Sequence, residues 1–287
     1  MRTGRFSSHL GQEKIYYRAS THSTEEPAKE VFLIIHDLLD YHERYLEIHQ
    51  YTTIADHQNF QYYWIDLKGH GLSSGIRGHV NYFDEFCFDV VQMILMISNE
   101  QKTKITLMGQ GLGALIILKL MNPYGSFSAQ ISSYLKGLIF INPLLHFNYQ
   151  WPKWSGLGIK KLLPTIDRIK FAPKIKGHQL CTDLELAQNY DHSPLILSQI
   201  SIGFLSEVLE AGVDVKRLSY FIDLPSLFLV SEDDFLISAE QIYLYQKGLP
   251  KEASTFISYP AAKHDLLNDK SRELVFNDII HWLKCLP

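Results

Sequence analysis

The chain has 287 residues, 46% of them apolar and 20% charged, with a formal net charge of −4. That length can bury a large α/β core, and the composition is that of a globular protein rather than a fibrous or disulfide-dense one. The acidic balance gives no reason to expect nucleic acid, no apolar run reaches the roughly 18 residues that span a bilayer, and Cys87, Cys181 and Cys285 show neither metal-ligand spacing nor an even count.

The opening stretch MRTGRFSSHL lacks the apolar segment of a secretion signal, so the cytoplasm is the expected location. Residues 4–19 alternate polar and apolar around Leu10-Gly11-Gln12, which predicts an edge hairpin whose second strand is Lys14-Ile15-Tyr16-Tyr17-Arg18. A polar, acidic connection at 20–30 follows. The continuous apolar run Val31-Phe32-Leu33-Ile34-Ile35 predicts a parallel strand buried on both faces, ending at His36-Asp37. Helical spacing covers 42–58. Tyr62-Tyr63-Trp64-Ile65 predicts the next strand, ending at Asp66, and a glycine-rich loop occupies 69–78. Phe86, Val90, Ile94 and Ile97 share one helical face.

The central stretch is Ile105-Thr106-Leu107-Met108-Gly109-Gln110-Gly111-Leu112-Gly113-Ala114. It predicts a buried strand, a very tight glycine turn and a helix continuing through Leu115, Ile116, Leu118, Leu120 and Met121. Two kinds of chemistry use such a turn. The nucleophile elbow, G-x-S-x-G, lifts a serine above the strand. The dinucleotide fingerprint, G-x-G-x-x-G/A, lays a pyrophosphate on the helix N-terminus. Gly109, Gly111 and Ala114 fit the second literally. That reading needs an acidic residue about 20 positions further on, yet no Asp or Glu occurs from Gln101 to Ile166.

Gly137-Leu138-Ile139-Phe140-Ile141 predicts a further strand. The alternation then breaks. It resumes at Ser226-Leu227-Phe228-Leu229-Val230, a helix near 238–247, the strand Thr255-Phe256-Ile257-Ser258-Tyr259 and a last helix from Arg272 to Leu283. Alternating strands and helices predict a mostly parallel central sheet flanked by helices. Residues 1–145 and 221–287 form the expected core, and 146–220 the expected helical cap insertion.

Several stretches together resemble the α/β-hydrolase fold, and within it the monoacylglycerol lipase and lysophospholipase-like group of serine aminopeptidase S33 type. His36-Asp37-Leu38-Leu39-Asp40-Tyr41-His42-Glu43-Arg44-Tyr45 is similar to that group's HG-x-x-x-H-x-x-RY stretch. Asp66-Leu67-Lys68-Gly69-His70-Gly71-Leu72-Ser73, followed by Gly75-Ile76-Arg77-Gly78, is similar to its D-x-x-GHG-x-S-x-G-x-RG loop. Asn189-Tyr190-Asp191-His192-Ser193-Pro194-Leu195 looks like its late-cap stretch. Ser231-Glu232-Asp233-Asp234 looks like the loop of the catalytic acid, and Tyr259-Pro260-Ala261-Ala262-Lys263-His264 like that of the catalytic histidine.

The resemblance implies a carboxylic-ester hydrolase with His264 as general base, Asp234 as its orienting acid (with Asp233 as the alternative), and the N–H groups of Leu38 and Leu112 as the oxyanion hole. It implies no metal or organic cofactor. A serine hydroxyl needs such partners because it is a poor nucleophile at neutral pH. His36, His70, Arg44 and Arg77 are expected to tie loops together rather than to transfer protons.

The nucleophile position departs from the pattern. Members of the group read GHSMGG where this chain reads Gly109-Gln110-Gly111-Leu112-Gly113-Ala114. Gly111 offers no oxygen, Gln110 replaces histidine, and Asp37 replaces glycine beside the oxyanion hole. Three departures at one site point to natural loss of hydrolysis. Three functions stay open: a hydrolase carrying a disabling change, a binding protein for a single-chain lipid or acyl ester, and proton transfer by the His264–Asp234 pair alone.

The segment 151–176 carries Lys153, Lys160, Lys161, Arg168, Lys170, Lys174 and Lys176 against the single acid Asp167, interleaved with Trp151, Trp154 and leucines. Two readings of it stand: a peripheral contact with an anionic membrane, or a cap whose apolar face covers the core while its lysines are solvated. Ile200, Ile202, Phe204, Leu205 and Leu209 are expected to line the pocket or pack on the sheet.

Overall fold

The computed structural model describes residues 1–9, 11–21, 28–54, 60–148, 166–217, 219–250 and 253–286. The tip residue Leu10, the end of the 42–58 helical spacing, and residues 151–165 of the Lys- and Trp-rich stretch lie outside them.

Ten strands are described: β1 (Arg2–Ser7), β2 (Lys14–Ala19), β3 (Glu30–Ile35), β4 (Phe60–Ile65), β5 (Ile105–Gln110), β6 (Leu135–Ile141), β7 (Lys170–Phe171), β8 (Ile200–Ser201), β9 (Ser226–Ser231) and β10 (Ser254–Tyr259). The helices are α1 (Glu47–Ile54), α2 (Asp84–Gln101), α3 (Leu112–Leu120), α4 (Ser128–Ile131), α5 (Gly177–Leu180), α6 (Leu184–His192), α7 (Ile202–Val215), α8 (Ala239–Lys247) and α9 (Arg272–Lys284). Eight strands form one sheet in the order β1-β2-β4-β3-β5-β6-β9-β10. β1 and β2 pair antiparallel at the edge, as the alternating pattern of 4–19 predicts, and β2 joins β4 antiparallel. All pairings from β4 to β10 are parallel.

The central strands are buried on both faces, and their side chains divide by the period of two. Val31, Leu33, Ile35, Leu107 and Phe140 belong to a core under α2, α3, α7 and α8. Phe32, Ile34, Met108, Ile139 and Leu229 belong to a second core under α1 and α9. This is why these strands read as unbroken apolar runs rather than alternating ones.

The chain leaves the sheet after β6 and returns to it at β9, which pairs directly with β6. Between them lie α5, α6, α7 and a small antiparallel ribbon of β7 and β8. The ribbon is too short for the sequence pattern to show it. Among the described residues no helix is long and apolar enough to cross a membrane.

Close packing of strand and helix sets the entry to α3. A Cβ on Gly113 would lie against the backbone carbonyl of Ile35 on β3. Neither partner is a flexible side-chain end, so Gly113→Ala forces the helix off the sheet. The expected cost is about 2 kcal/mol or more, a fall in melting midpoint of at least ~4 °C for a chain of this size. Gly125→Ala, whose Cβ would meet only ordinary contacts around Asn122, is the control. Equal midpoints for the two variants by calorimetry would show that the close approach is not a constraint.

Candidate active site

Gly111 stands at the tip between β5 and α3 with φ 52° and ψ −108°. The positive φ is cheap only for glycine. Its N–H donates to the Ile141 carbonyl on β6 at 2.9 Å, and its own carbonyl accepts from Leu115 N–H at 3.1 Å to begin the helix. The turn therefore has the backbone of an elbow, without a side chain on it.

His264 follows β10 and is buried. Its Nδ1 donates to Asp234 Oδ2 at 2.6 Å, and Asp234 lies in the loop after β9. Asp234, not its neighbour Asp233, holds the ring. The second oxygen of Asp234 accepts from Leu236 N–H at 2.8 Å, which fixes the carboxylate. The other ring nitrogen, Nε2, donates to Asp37 Oδ2 at 2.9 Å.

Asp37 stands in the space a nucleophilic serine would use. A Cβ built on Gly111 would overlap the Asp37 carboxylate. Asp37 Oδ1 accepts the Leu112 N–H at 2.8 Å. The Leu112 N–H, one of the two groups expected to form an oxyanion hole, is thus taken by a side chain of the same protein. Burial would raise the Asp37 pKa, but His264 and the Leu112 N–H hold it below the usual carboxylate range. Burial would likewise lower His264, but Asp234 and Asp37 together raise it well above its ordinary value. Both ring nitrogens face carboxylates, so the ring is an imidazolium clamped between two anions.

Buried polar contacts fix the surrounding loops. His36 Nε2 accepts from Leu67 N–H at 3.0 Å, which leaves Nδ1 to donate to the Asp37 carbonyl at 2.7 Å. His70 lies 3.0 Å from the Leu38 carbonyl and 2.9 Å from that of Lys68. Burial lowers its pKa to about 3, so the ring is neutral and donates to one of the two. Arg77 bonds the Gly71 and Leu195 carbonyls, each at 2.8 Å. Arg44, also buried, pairs with Asp40 and Asp265, and Gln110 Nε2 donates to Asp265 Oδ1 at 3.0 Å. Burial, opposed by Arg44 and helped by Asp265, pushes Asp40 up to about 7.

One residue of this shell carries no sequence signal beyond its place after a strand. Asn142 has φ 43° and is fully buried. Its amide nitrogen donates to the His264 carbonyl at 2.6 Å and to Ser231 Oγ at 2.9 Å. It ties the β6, β9 and β10 loops together beneath the histidine.

Above the clamp is a cavity of about 20 Å³, walled by Leu38, Leu144, Phe147, Ile175, Leu180 and Leu236 with Asp37, Gln110 and His264 at its polar end. It has room for about one water. A second Ser–His–Asp set occurs elsewhere: Ser201 Oγ is 2.7 Å from His79 Nδ1, and His79 Nε2 is 3.8 Å from Asp167. Ser201 is fully buried and caps α7 by accepting the Phe204 N–H at 3.0 Å, so its oxygen meets no substrate. Among the described residues no group of three or more His, Cys, Asp or Glu is arranged to hold a metal ion.

The profile of the family described as serine aminopeptidase, S33, matches residues 26–271. The chain is 24% identical over 230 residues to the uncharacterized protein YnbC of Escherichia coli, an alignment that takes in 78% of this chain but only 37% of that one. It is 26% identical over 223 residues to the monoglyceride lipase homolog of Monkeypox virus, covering 76% of this chain and 77% of that one. The crystal structure of a soluble variant of monoglyceride lipase from Saccharomyces cerevisiae, in complex with a substrate analog, superposes with a TM-score of 0.82 at 16% identity, covering 96% and 92% of the two chains.

The clamp makes stability depend on pH in two directions. Folding raises His264 above its free value of about 6.5, so that stabilisation is complete below about 6.5 and is lost as pH climbs through the raised value. Folding lowers Asp37 below its free value of about 3.9, so that share is complete above about 3.9 and is lost as pH falls through the lowered value. Between about 4 and 6.5 both are present. Asp37→Asn is expected to cost about 2 kcal/mol in denaturant melts at pH ~5.5, with a smaller difference once His264 deprotonates. In the same variant the His264 ring should titrate lower than in the native chain. A native His264 titrating at or below about 6.5 by NMR would refute the clamp.

Proposed function

We propose a binding role from one premise: the chain belongs to the serine aminopeptidase S33 family, in the monoacylglycerol-lipase-like group of α/β-hydrolases. The chain as it stands binds a single-chain lipid or acyl ester on the side of the sheet that carries His264, and does not hydrolyse it efficiently. The observation that carries this reading is the Asp37 carboxylate, bonded to Leu112 N–H and His264 where a serine oxygen would be. Ester hydrolysis in this geometry needs a nucleophile, a base with a free lone pair and empty oxyanion donors. Gly111 lacks the first, both nitrogens of His264 face carboxylates, and Asp37 occupies the Leu112 donor.

Were Gly111 a serine and Asp37 a glycine, His264 and Asp234 would take the roles of general base and orienter. Leu112 and Leu38 would be free to bind an oxyanion. The serine oxygen would then attack the ester carbonyl, the C–O bond would break as His264 returns the proton to the departing alcohol, and water would hydrolyse the acyl-enzyme to the free acid.

Turnover of a short p-nitrophenyl ester distinguishes the possibilities. Gly111→Ser alone is expected to stay at the background rate, because its Cβ meets the Asp37 carboxylate. Asp37→Gly alone gains little without a nucleophile. The double variant Gly111→Ser/Asp37→Gly is expected to gain on the order of 10²-fold or more. Efficient hydrolysis by the native chain, or full rescue by Gly111→Ser alone, would overturn the binding role.

A further inference from the structure

The two edges of the eight-stranded sheet meet solvent differently. β1 closes one side and β10 the other, and β10 pairs only with β9 among the described strands. An edge strand turns a row of backbone N–H and C=O groups outward, ready to pair with a further strand. Chains guard against this with charge, proline or a very short strand. β1 is guarded: Arg2 and Arg5 stand within it, Arg2 bonded to Glu100 and Arg5 over the Tyr16 ring at 5.8 Å. β10 is not. It reads Ser254-Thr255-Phe256-Ile257-Ser258-Tyr259, with no charge and no proline. Four of these residues, Thr255, Phe256, Ile257 and Tyr259, are of types that favour strands.

The side chains of β10 are also incompletely covered. Thr255 and Ser258 are exposed, and Phe256 and Ile257 are only partly buried, one against each core. Tyr243 on α8, whose ring meets that of Phe256 edge-on at 5.3 Å, is 43% exposed. Apolar surface therefore flanks the open backbone row on both faces of the sheet, and an added strand would cover it.

Charge decides which strand fits. Self-pairing needs an uncharged strand, because like charges that face each other across a ladder repel. The charges beside β10 lie toward its ends. At the C-terminal end, Glu232 accepts from Ser258 Oγ and Asp278 from Tyr259 Oη, each at 2.7 Å. At the N-terminal end, Gln246 Nε2 donates to Ser254 Oγ at 2.6 Å, and the next residue, Lys247, lies over the Tyr243 ring at 4.8 Å. Parallel pairing of two copies would set like charges side by side. Antiparallel pairing separates the acids to opposite ends of a ladder about 20 Å long, and turns Lys247 of one copy toward Glu232 of the other. A twofold axis normal to the sheet produces this arrangement and keeps α8 of both copies on one face.

We propose that the β10 edge is an interface with a second copy of this chain, β10 pairing antiparallel with its own copy so that the two sheets become one. This stands apart from the binding role above.

Sedimentation of the native chain across the micromolar range is the test. It should show twice the chain mass, in concentration-dependent equilibrium with monomer. Thr255→Lys puts like charges into the shared ladder from an exposed position, and should weaken dimerisation about tenfold or more. Thr3→Lys, exposed on the guarded edge, should leave it unchanged. Melting curves check that both variants keep the fold. Hydrogen exchange locates the contact in the native chain itself: the outward amides of 254–258 should slow as concentration rises, and those of β1 should not. A monomer throughout the range overturns the proposal. So does a dimer that Thr255→Lys leaves as tight as before, or one in which exchange at 254–258 does not change with concentration.

Discussion

The carboxylate of Asp37 is the interaction on which the site depends. It neutralises a buried imidazolium, satisfies the Leu112 N–H and fills the volume left by the missing Cβ of Gly111. In a working hydrolase the oxyanion donors wait for charge that appears only in the transition state, and that readiness is a cost to the resting fold. Here the charge is permanent and supplied from within. A donor that would lower a barrier there bonds a charge already present in the resting fold.

This makes Gly111 and Asp37 one device rather than two losses. A serine at 111 would collide with the carboxylate, and a glycine at 37 would leave His264 with Asp234 alone. A glycine introduced at 111 as a single change would remove an oxygen but would not bring a carboxylate into its place. Gln110 extends the fit. Its amide donates to Asp265, which with Asp40 compensates the buried Arg44. Buried ions are tolerated only when paired and bonded. The loop 36–45 is accordingly held by Tyr45 as well, whose hydroxyl accepts from Asp37 N–H at 3.1 Å and donates to Asp40 at 3.1 Å.

The sheet was legible because its central strands are buried on both faces, so runs such as Val31-Phe32-Leu33-Ile34-Ile35 carry their own assignment. The elbow is legible because a turn that tight requires glycine, whereas the Asp234 and His264 loops stand out only by their resemblance to those of the family. The direction of the Asp37 side chain is not legible. It depends on how the loop 36–45 is tied by His36, His70 and Tyr45, contacts that span tens of residues and leave no period in the chain. Asn142 leaves no mark in the sequence for the same reason: an asparagine after a strand is ordinary, and only its amide bridge to Ser231 and His264 sets it apart. The β7–β8 ribbon, two residues a side, is below the length at which alternation can be read.

The bonding of His264 also bears on proton transfer by the His264–Asp234 pair. A general base needs a lone pair, and both nitrogens of this ring donate to carboxylates. A general acid is most effective when its pKa lies near the working pH, and this ring is held well above the ordinary value. The Asp–His pair of a hydrolase is useful because the third partner, a serine hydroxyl, is neutral and gives its proton up. When a carboxylate takes that place, the histidine already holds the proton the reaction would have moved. The ring then becomes a counter-ion to two carboxylates.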